Sequence, residues 1–449
     1  MTRRSMAGQE HMYIRNLTVK HLRAVTAGHL DLVYPGRAQD KQFAGSTTWP
    51  PRLPNVNLLL GVNGAGKSTM LDAIALAVLS PLISQSGYRP YALIKRRKDG
   101  TRAAKAQISA ELTIHPQDAA ALKKNEKLVH RVETVVERRG DVEIVRGTDE
   151  NNPIWEGMFS DDSPAFLLVG YGATRRVETD AVTDSAARYK SRQLRYERVA
   201  SLFEEHFTLR PLASWLPEWK IKNPGRYKQV ITLINKLSTE AIQFTGEIEA
   251  GEYLFQSRAA KVPFSALSDG YKAYIGWVGD LLYHVCMGCP NGKRLVDNKG
   301  VVLVDEIDLH IHPEWQRTMI PTLAKALPNL QFIFTSHSPL VVGTLERDNI
   351  IHVETNRLGN AVVRRPKEEM YGLSADQILR SDMFGLDSTR DPEFKKHLDK
   401  LSQQALSGNP DAAMKFMRQA ARGSGAIVET LREASPPDWV KRLTASKDR

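Results

Sequence analysis

The clearest chemistry in the chain lies in one run of nine residues, Gly61-Val-Asn-Gly-Ala-Gly-Lys67-Ser68-Thr69. The run satisfies G-x-x-x-x-G-K-[ST]; it follows the apolar stretch Asn55–Leu60 and opens a pattern with helical spacing. Glycines let the backbone curl until successive N–H groups converge on phosphate oxygens. A helix N-terminus adds partial positive charge at the same point. Lys67 is expected to reach the β- and γ-phosphates of ATP, and the Ser68 hydroxyl to bind Mg2+. The nucleotide-binding set here is Asn63, Gly64, Gly66, Lys67, Ser68 and Thr69.

A second constellation is acidic. The apolar run Val301–Val304 leads directly into Asp305 and Glu306. Asp305 suits magnesium, and Glu306 suits the general base that polarises an attacking water. Further on, Phe332–Thr335 is another buried-type strand, followed by the polar turn Ser336-His337-Ser338-Pro339. His337 in that turn is placed to hydrogen-bond a γ-phosphate or the water. Ser268, Asp269 and Gly270 lie between the phosphate loop and the acidic strand, just before a helix. Ser268 is expected to cap that helix, and Gly270 to allow close backbone approach.

These groups need elements to hold them. Short, wholly apolar runs such as Val301–Val304 are typical of central parallel strands. A helix is expected from about Ser68 to Leu79, with Met70, Leu71, Ala73, Ile74 and Ala77 on one face. Met12–Val25 reads as strand, turn and strand. Gln107–Ile114 and Val129–Val136 alternate polar and apolar residues, and Arg139-Gly-Asp141 reads as a hairpin turn into Val142–Val145. These suggest an antiparallel sheet inserted after the first helix. Phe166–Val169 is one more buried strand. Residues 180–245 are mainly helical in pattern, with breaks expected at Pro211, Pro217 and Pro224. The tail is helical: Ser374-Ala-Asp-Gln377 fits a capping box, and Asp391-Pro392 a cap followed by proline at the first helical position. The fold class is therefore α/β. Four regions are expected: 1–176, an N-terminal ATPase lobe with the phosphate loop and the antiparallel β subdomain; 177–250, a helical insertion; 251–365, a C-terminal ATPase lobe; and 366–449, a helical C-terminal region.

Composition excludes several classes. With 42% hydrophobic and 25% charged residues over 449 positions, usage is that of a globular chain. No uninterrupted apolar run approaches the ~18–20 residues of a membrane helix, and no signal-peptide pattern follows Met1, so a cytoplasmic protein without a membrane partner is expected. Two cysteines, Cys286 and Cys289, argue against a disulfide framework, and one C-x-x-C is half of a closed zinc site. The net charge of +11 favours an acidic partner. Residues 186–236 hold eleven Lys or Arg against four Asp or Glu, an excess of +7. Arg188, Arg192 and Arg195 are spaced to share a helix face, with Tyr189, Tyr196, Trp215, Trp219 and Tyr227 interleaved. This region is either a surface that tracks nucleic acid with some stacking or a helical layer whose arginines are simply solvated.

The segments GVNGAGKST, ALSDGY, VVLVDEIDLHIHPEWQ and FTSHSP, in that order, resemble an ABC-type ATPase of the branch that holds RecF, SMC and OLD proteins. DEIDLHIHP, GYGATRR (Gly170–Arg176) and the tail Tyr371–Arg390 are most similar to short ATP-binding proteins of bacterial anti-phage operons, such as the Septu, PARIS and retron ATPases. The resemblance implies an ATPase in which Ser268, Asp269 and Gly270 of one subunit close over ATP held by another. It therefore implies an ATP-dependent homodimer or higher homo-oligomer. It further implies a switch that controls a separate effector, a nuclease or toxin; the alternative is a RecF-like repair ATPase acting directly on DNA. Two departures stand out. ALSDGY differs from Leu-Ser-Gly-Gly-Gln at Asp269 and Tyr271. The strand FLLVGYG is not followed by the family's magnesium-binding glutamine, and Arg175 and Arg176 stand there instead, either in contact with nucleotide or partner or as a solvated basic turn.

Overall fold

The structure is a computed structural model that describes residues 12–43, 46, 49–86, 88, 90–97, 99–115, 129–148, 167–177, 194–238, 242–289, 292–356 and 361–420. The chain divides into two compact units, Met1–Ile378 and Leu379–Arg449. All of the candidate chemistry lies in the first.

Two sheets organise the first unit. One is antiparallel, with strand order β2-β1-β4-β5-β6, from β1 (Met12–Leu22), β2 (Val25–Asp31), β4 (Lys105–Ile114), β5 (Val129–Arg139) and β6 (Val142–Gly147). The sheet is not an insertion after the first helix, as the spacing suggests. Its hairpin β1–β2 precedes the phosphate loop, and β4 adds to the free edge of β1 through pairs such as Leu17↔Ala110. The second sheet has the order β16-β15-β3-β14-β13-β7, from β3 (Val56–Leu60), β7 (Leu167–Tyr171), β13 (Gly300–Val304), β14 (Leu330–Ser336), β15 (Ile350–Thr355) and β16 (Ala361–Arg364). Five of these strands run parallel and only β16 is antiparallel. Every residue of β3, β7, β13 and β14 is buried, as the unbroken apolar runs require.

Helix α1 (Lys67–Gln85) joins the two sheets. It is buried almost all round, and its side chains share one core cluster with Leu17 and Ile108 of the antiparallel sheet and Leu59, Val301 and Ile333 of the parallel one. A helix that is apolar on every side belongs in such a position. Its segment Lys67–Ser84 is long and apolar enough to cross a membrane, yet 83% of that segment is buried within the protein. The helix runs past the expected end at Leu79, where the backbone turns non-helical (φ −115°, ψ 16°) two residues before Pro81. Apolar packing then carries it on to Gln85.

Buried amide side chains stitch the layers together. Asn57 on β3 exchanges two 2.8 Å hydrogen bonds with the backbone of Val33. Gln331 on β14 does the same with Ile14 of β1, again at 2.8 Å. Each amide supplies one donor and one acceptor, which is what an unpaired backbone position requires.

Beyond β7, the short strands β8 (Arg176–Val177) and β9 (Thr208–Leu209) pair in parallel and bracket the helix Leu194–Phe203. The helices Leu212–Lys222 and Pro224–Leu237 follow. Pro217 does not break the first of these; Leu212, Trp215 and Leu216 are buried and hold the helix through the missing N–H. Pro211 and Pro224 do mark boundaries, at the N-cap of one helix and the first turn of the next. The stretch from Ile242 is strand rather than helix: β10 (Ile242–Glu249), β11 (Glu252–Ser257) and β12 (Lys261–Pro263) form a small antiparallel sheet. Ser374 and Gln377 form the reciprocal capping box read from the sequence, at 2.8 and 3.3 Å. In the second unit, Asp391 caps the helix Pro392–Leu406 by accepting from the N–H groups of Glu393 and Phe394, both at 3.0 Å.

Candidate functional site

The register of the parallel sheet aligns the ends of the strands that carry the candidate residues. Leu60 of β3 lies opposite Ser336 of β14, and Val304 of β13 lies opposite Phe334 of β14 and Tyr171 of β7. The phosphate loop, the His337 turn, Asp305-Glu306 and the Gly172–Arg175 turn therefore all emerge at the same edge. One strand, β14, separates the loop strand from the acidic strand, a distance of about 10 Å at normal strand spacing.

The loop has the form its sequence requires. Gly64 (φ +78°) and Gly66 (φ +105°) are left-handed, and a Cβ on Gly64 would meet nothing within 4 Å, so the cradle is open on that side. Gly61 is needed for space: a Cβ there would lie 2.0 Å from the carbonyl oxygen of Val353. Lys67 is buried and turned back into the loop, donating to the carbonyl oxygens of Gly61 (2.9 Å) and Val62 (3.1 Å). Ser68 is half-buried and Thr69 buried in the first turn of α1, whereas Asn63 and Gly64 are exposed.

The acidic strand end is held from both sides. Thr335 of β14 donates its hydroxyl to Asp305 Oδ1 (2.5 Å) and accepts from the Glu306 N–H (2.7 Å). Glu306 has φ +45°, a left-handed conformation that costs a non-glycine residue about 1 kcal/mol or more and persists only where neighbours over-determine it. On the other side, the buried guanidinium of Arg175 donates to the carbonyl oxygens of Asp305 and, at 2.9 Å, Glu306. Arg175 is thus not a solvated turn residue. The sequence shows Thr335 next to Ser336 at a strand end and Arg175 in the turn that leaves an apolar strand. It does not say which atoms they engage. For Arg176 the structure describes backbone alone.

Electrostatics tie these groups together. Burial lowers the pKa of Lys67, with Asp305, Glu306 and Asp308 acting against it. Burial likewise lowers that of Arg175 to about 10, opposed by the same three carboxylates. Half-buried His337 is held below the ordinary imidazole value first by burial and then by the Lys67 charge, so it is neutral near pH 7. The hydroxyl of Ser338 caps the turn that follows His337 and donates to Gln316 Oε1 at 2.6 Å.

The arrangement suits a nucleoside triphosphate with magnesium. The loop offers a helix N-terminus and one lysine, Asp305 stands at the adjoining edge with its Oδ1 oriented by Thr335, and Ser68 lies in the first helical turn. Magnesium typically takes one or two protein oxygens and completes its shell with phosphate and water, so one carboxylate and one hydroxyl suffice.

Ser268 stands at the N-cap position of the helix Asp269–Gly288, but its side chain makes no cap hydrogen bond. It is exposed, as is Asp269, and so the capping role expected of it is not taken up. Its backbone is extended (φ −65°, ψ 154°), which serves the helix start while the hydroxyl faces outward. Gly270 meets the expectation of close approach: a Cβ would lie 2.9 Å from the carbonyl oxygen of His310, beyond the acidic strand. Tyr271 packs edge-on against Trp315, with ring centroids 4.0 Å apart.

Two other sequence features look different in three dimensions. Arg188 and Arg192 of the basic segment lie outside the described residues, and for Arg195 only backbone is described. Tyr196, Trp215 and Tyr227 are buried, so they are core and not a stacking platform; Arg198 and Arg226 are buried as well. The guanidinium of Arg226 donates to the carbonyl oxygens of Cys286 (2.7 Å) and Cys289 (2.6 Å). Both cysteines are buried, and burial pushes the Cys286 thiol up to about 12.

Comparison with known proteins finds a domain family and several relatives to which the chain is similar. A domain family described as "AAA domain, putative AbiEii toxin, Type IV TA system" matches residues 220–343, a span that includes Ser268, Asp305, Glu306 and His337. The Septu protein PtuA of Bacillus mycoides is 25% identical over 362 residues, 80% of this chain and 44% of that protein. The Retron Ec83 probable ATPase of Escherichia coli is 44% identical over 84 residues, 19% of this chain and 16% of its own length. This chain is related to the Septu protein PtuA and to retron probable ATPases. It spans less than half the length of the curated relatives it matches. Among solved structures, an SMC head crystallised with the C-winged helix domain of ScpA aligns over 79% of this chain and 97% of its own, with 16% identity and a TM-score of 0.47.

Proposed function

We propose that the protein binds and hydrolyses ATP as a nucleotide-sandwich homodimer and works as the regulatory ATPase of an anti-phage system. The observation that carries this reading is the convergence of Lys67, Asp305, Glu306 and His337 at one edge of adjacent parallel strands. Lys67 exchanges its two carbonyl partners for phosphate oxygens. Magnesium, held by Ser68 and Asp305, supplies charge neutralisation at the phosphates. The carboxylate of Glu306 accepts a proton from the attacking water, and the neutral His337 imidazole hydrogen-bonds the terminal phosphate or that water. Ser268, with an outward hydroxyl unused in capping, and Gly270 close over nucleotide held by a second copy. Kinship with Septu and retron proteins supports the defence role, in which the state of the dimer is read by a separate effector such as a nuclease or toxin.

The test is steady-state phosphate release together with analytical ultracentrifugation. Lys67→Ala should abolish binding of Mg-ATP. Glu306→Gln should keep binding, lose turnover and accumulate dimer. Hydrolysis by Glu306→Gln at the parent rate would remove Glu306 as the base. A parent and a Glu306→Gln protein that both stay monomeric in saturating Mg-ATP would remove the sandwich.

A further inference from the structure

Arg175 is a buried cation to which the hydrolytic scheme gives no task. Its Nη1 donates to the carbonyl oxygen of Asp305 and, at 3.4 Å, to that of Gly172; its Nη2 donates to the carbonyl oxygen of Glu306 at 2.9 Å. A guanidinium is costly to bury, and this one is spent on backbone. The two carbonyls it bridges flank the alpha carbon of Glu306, the residue with φ +45°. Thr335 fixes the N–H side of Glu306, and Arg175 fixes its carbonyl side. Backbone bonds add to these two, from Leu309 N–H to the Glu306 carbonyl oxygen and from Ile307 N–H to that of Thr335, both at 3.0 Å, but Arg175 supplies the one side chain that bridges the carbonyls on both sides of the Glu306 alpha carbon among the described residues.

We propose that Arg175 is a positioning residue for hydrolysis: its fork holds Glu306 in the left-handed conformation that aims the carboxylate at the attacking water. This rests on Glu306 being the general base. The turn that bears Arg175 is itself clamped. A Cβ on Gly172 would lie 2.2 Å from the carbonyl oxygen of Ser201, and the Gly172 N–H donates to Ser201 Oγ at 3.2 Å. The fork therefore pushes from a fixed base. Lysine keeps the charge but offers a point-like ammonium instead of a planar fork, so it cannot reproduce the bridge.

The experiment is a double-mutant cycle of Arg175→Lys with Glu306→Gln, reading kcat, KM, Mg-ATP affinity and Tm, with Arg175→Gln as a neutral second variant that replaces the Lys variant if that one fails to fold. Expected is a fall in kcat of about 30-fold or more for Arg175→Lys, with nucleotide Kd within about threefold of the parent. In the Glu306→Gln background the same change should alter the residual rate less than about threefold, because the group it positions is gone. Three results would overturn the proposal: an unchanged kcat, a loss of nucleotide affinity as large as the loss of rate, or full additivity with Glu306→Gln. A parent no faster than Glu306→Gln refutes the assignment of the base itself, and that outcome is read from the two proteins that retain Arg175.

Discussion

Replacing Thr335 by valine nearly conserves side-chain volume and removes one hydroxyl from a position with no exposed surface. That hydroxyl makes two bonds, a donation to Asp305 Oδ1 at 2.5 Å and an acceptance from the Glu306 N–H at 2.7 Å. A hydrogen bond to a charged group contributes about 1.5–3 kcal/mol, and a buried donor left without a partner costs about 1–3 kcal/mol. Thr335→Val should therefore lower stability by about 3 kcal/mol, read as a shift in urea midpoint at constant m. Thr335→Ser keeps the hydroxyl and loses a methyl group, so it should cost only about 1 kcal/mol. Freed on its N–H side, Glu306 should lose its aim, and a displacement of about 1 Å at a reacting group costs about 100-fold in rate. Phosphate release should rank parent, then Ser, then Val, with nucleotide affinity little changed. A Val variant as stable and as fast as the Ser variant would refute the argument, since packing alone would then account for the position.

Gly61→Ala should abolish phosphate binding or unfold the loop, because its Cβ would sit 2.0 Å from a backbone oxygen that cannot retreat; nucleotide affinity and Tm both report it. The His337 imidazole should titrate below its ordinary value of 6.5 in an NMR pH series, and Lys67→Ala should move it upward by removing the second-largest cause of the shift. The sign for stability follows from the lowered value: the unfolded chain binds the proton more readily, so the contribution of His337 is present above pH ~6.5 and is lost as pH falls through that window. A His337→Gln protein should lose that part of the pH dependence. Asp391→Ala should destabilise the second unit by about 1 kcal/mol through loss of a cap bound to two N–H groups, measurable by hydrogen exchange in the helix Pro392–Leu406.

Much of the site is legible in the sequence because its chemistry is local. The spacing of Gly61 to Thr69 and the adjacency of Val304, Asp305 and Glu306 are properties of single strand–turn units, and the tail caps at Ser374 and Asp391 are local as well. What stays hidden is long-range. Thr335 reaches Asp305 across 30 positions and Arg175 reaches Glu306 across 131, and no periodicity reports such pairs. Three aromatic residues of the basic segment cannot be assigned to surface or core from the sequence for a related reason. Charge at neighbouring positions suggests a surface, while burial of Tyr196, Trp215 and Tyr227 is decided by helices that pack from elsewhere. The antiparallel sheet is misread because β4 pairs with β1 across the whole phosphate loop and helix α1.

The middle strand of the site, β14, tolerates no change of length. β13 pairs with it at every step from Leu330 to Phe334 on one side, and β3 from Phe332 to Ser336 on the other. Sliding it by a single residue would turn Thr335 to the opposite face, strip Asp305 and Glu306 of their shared hydroxyl, and carry His337 away from the triphosphate cradle in one move. Deletions or insertions should accordingly be found in the connections around it and never inside this strand.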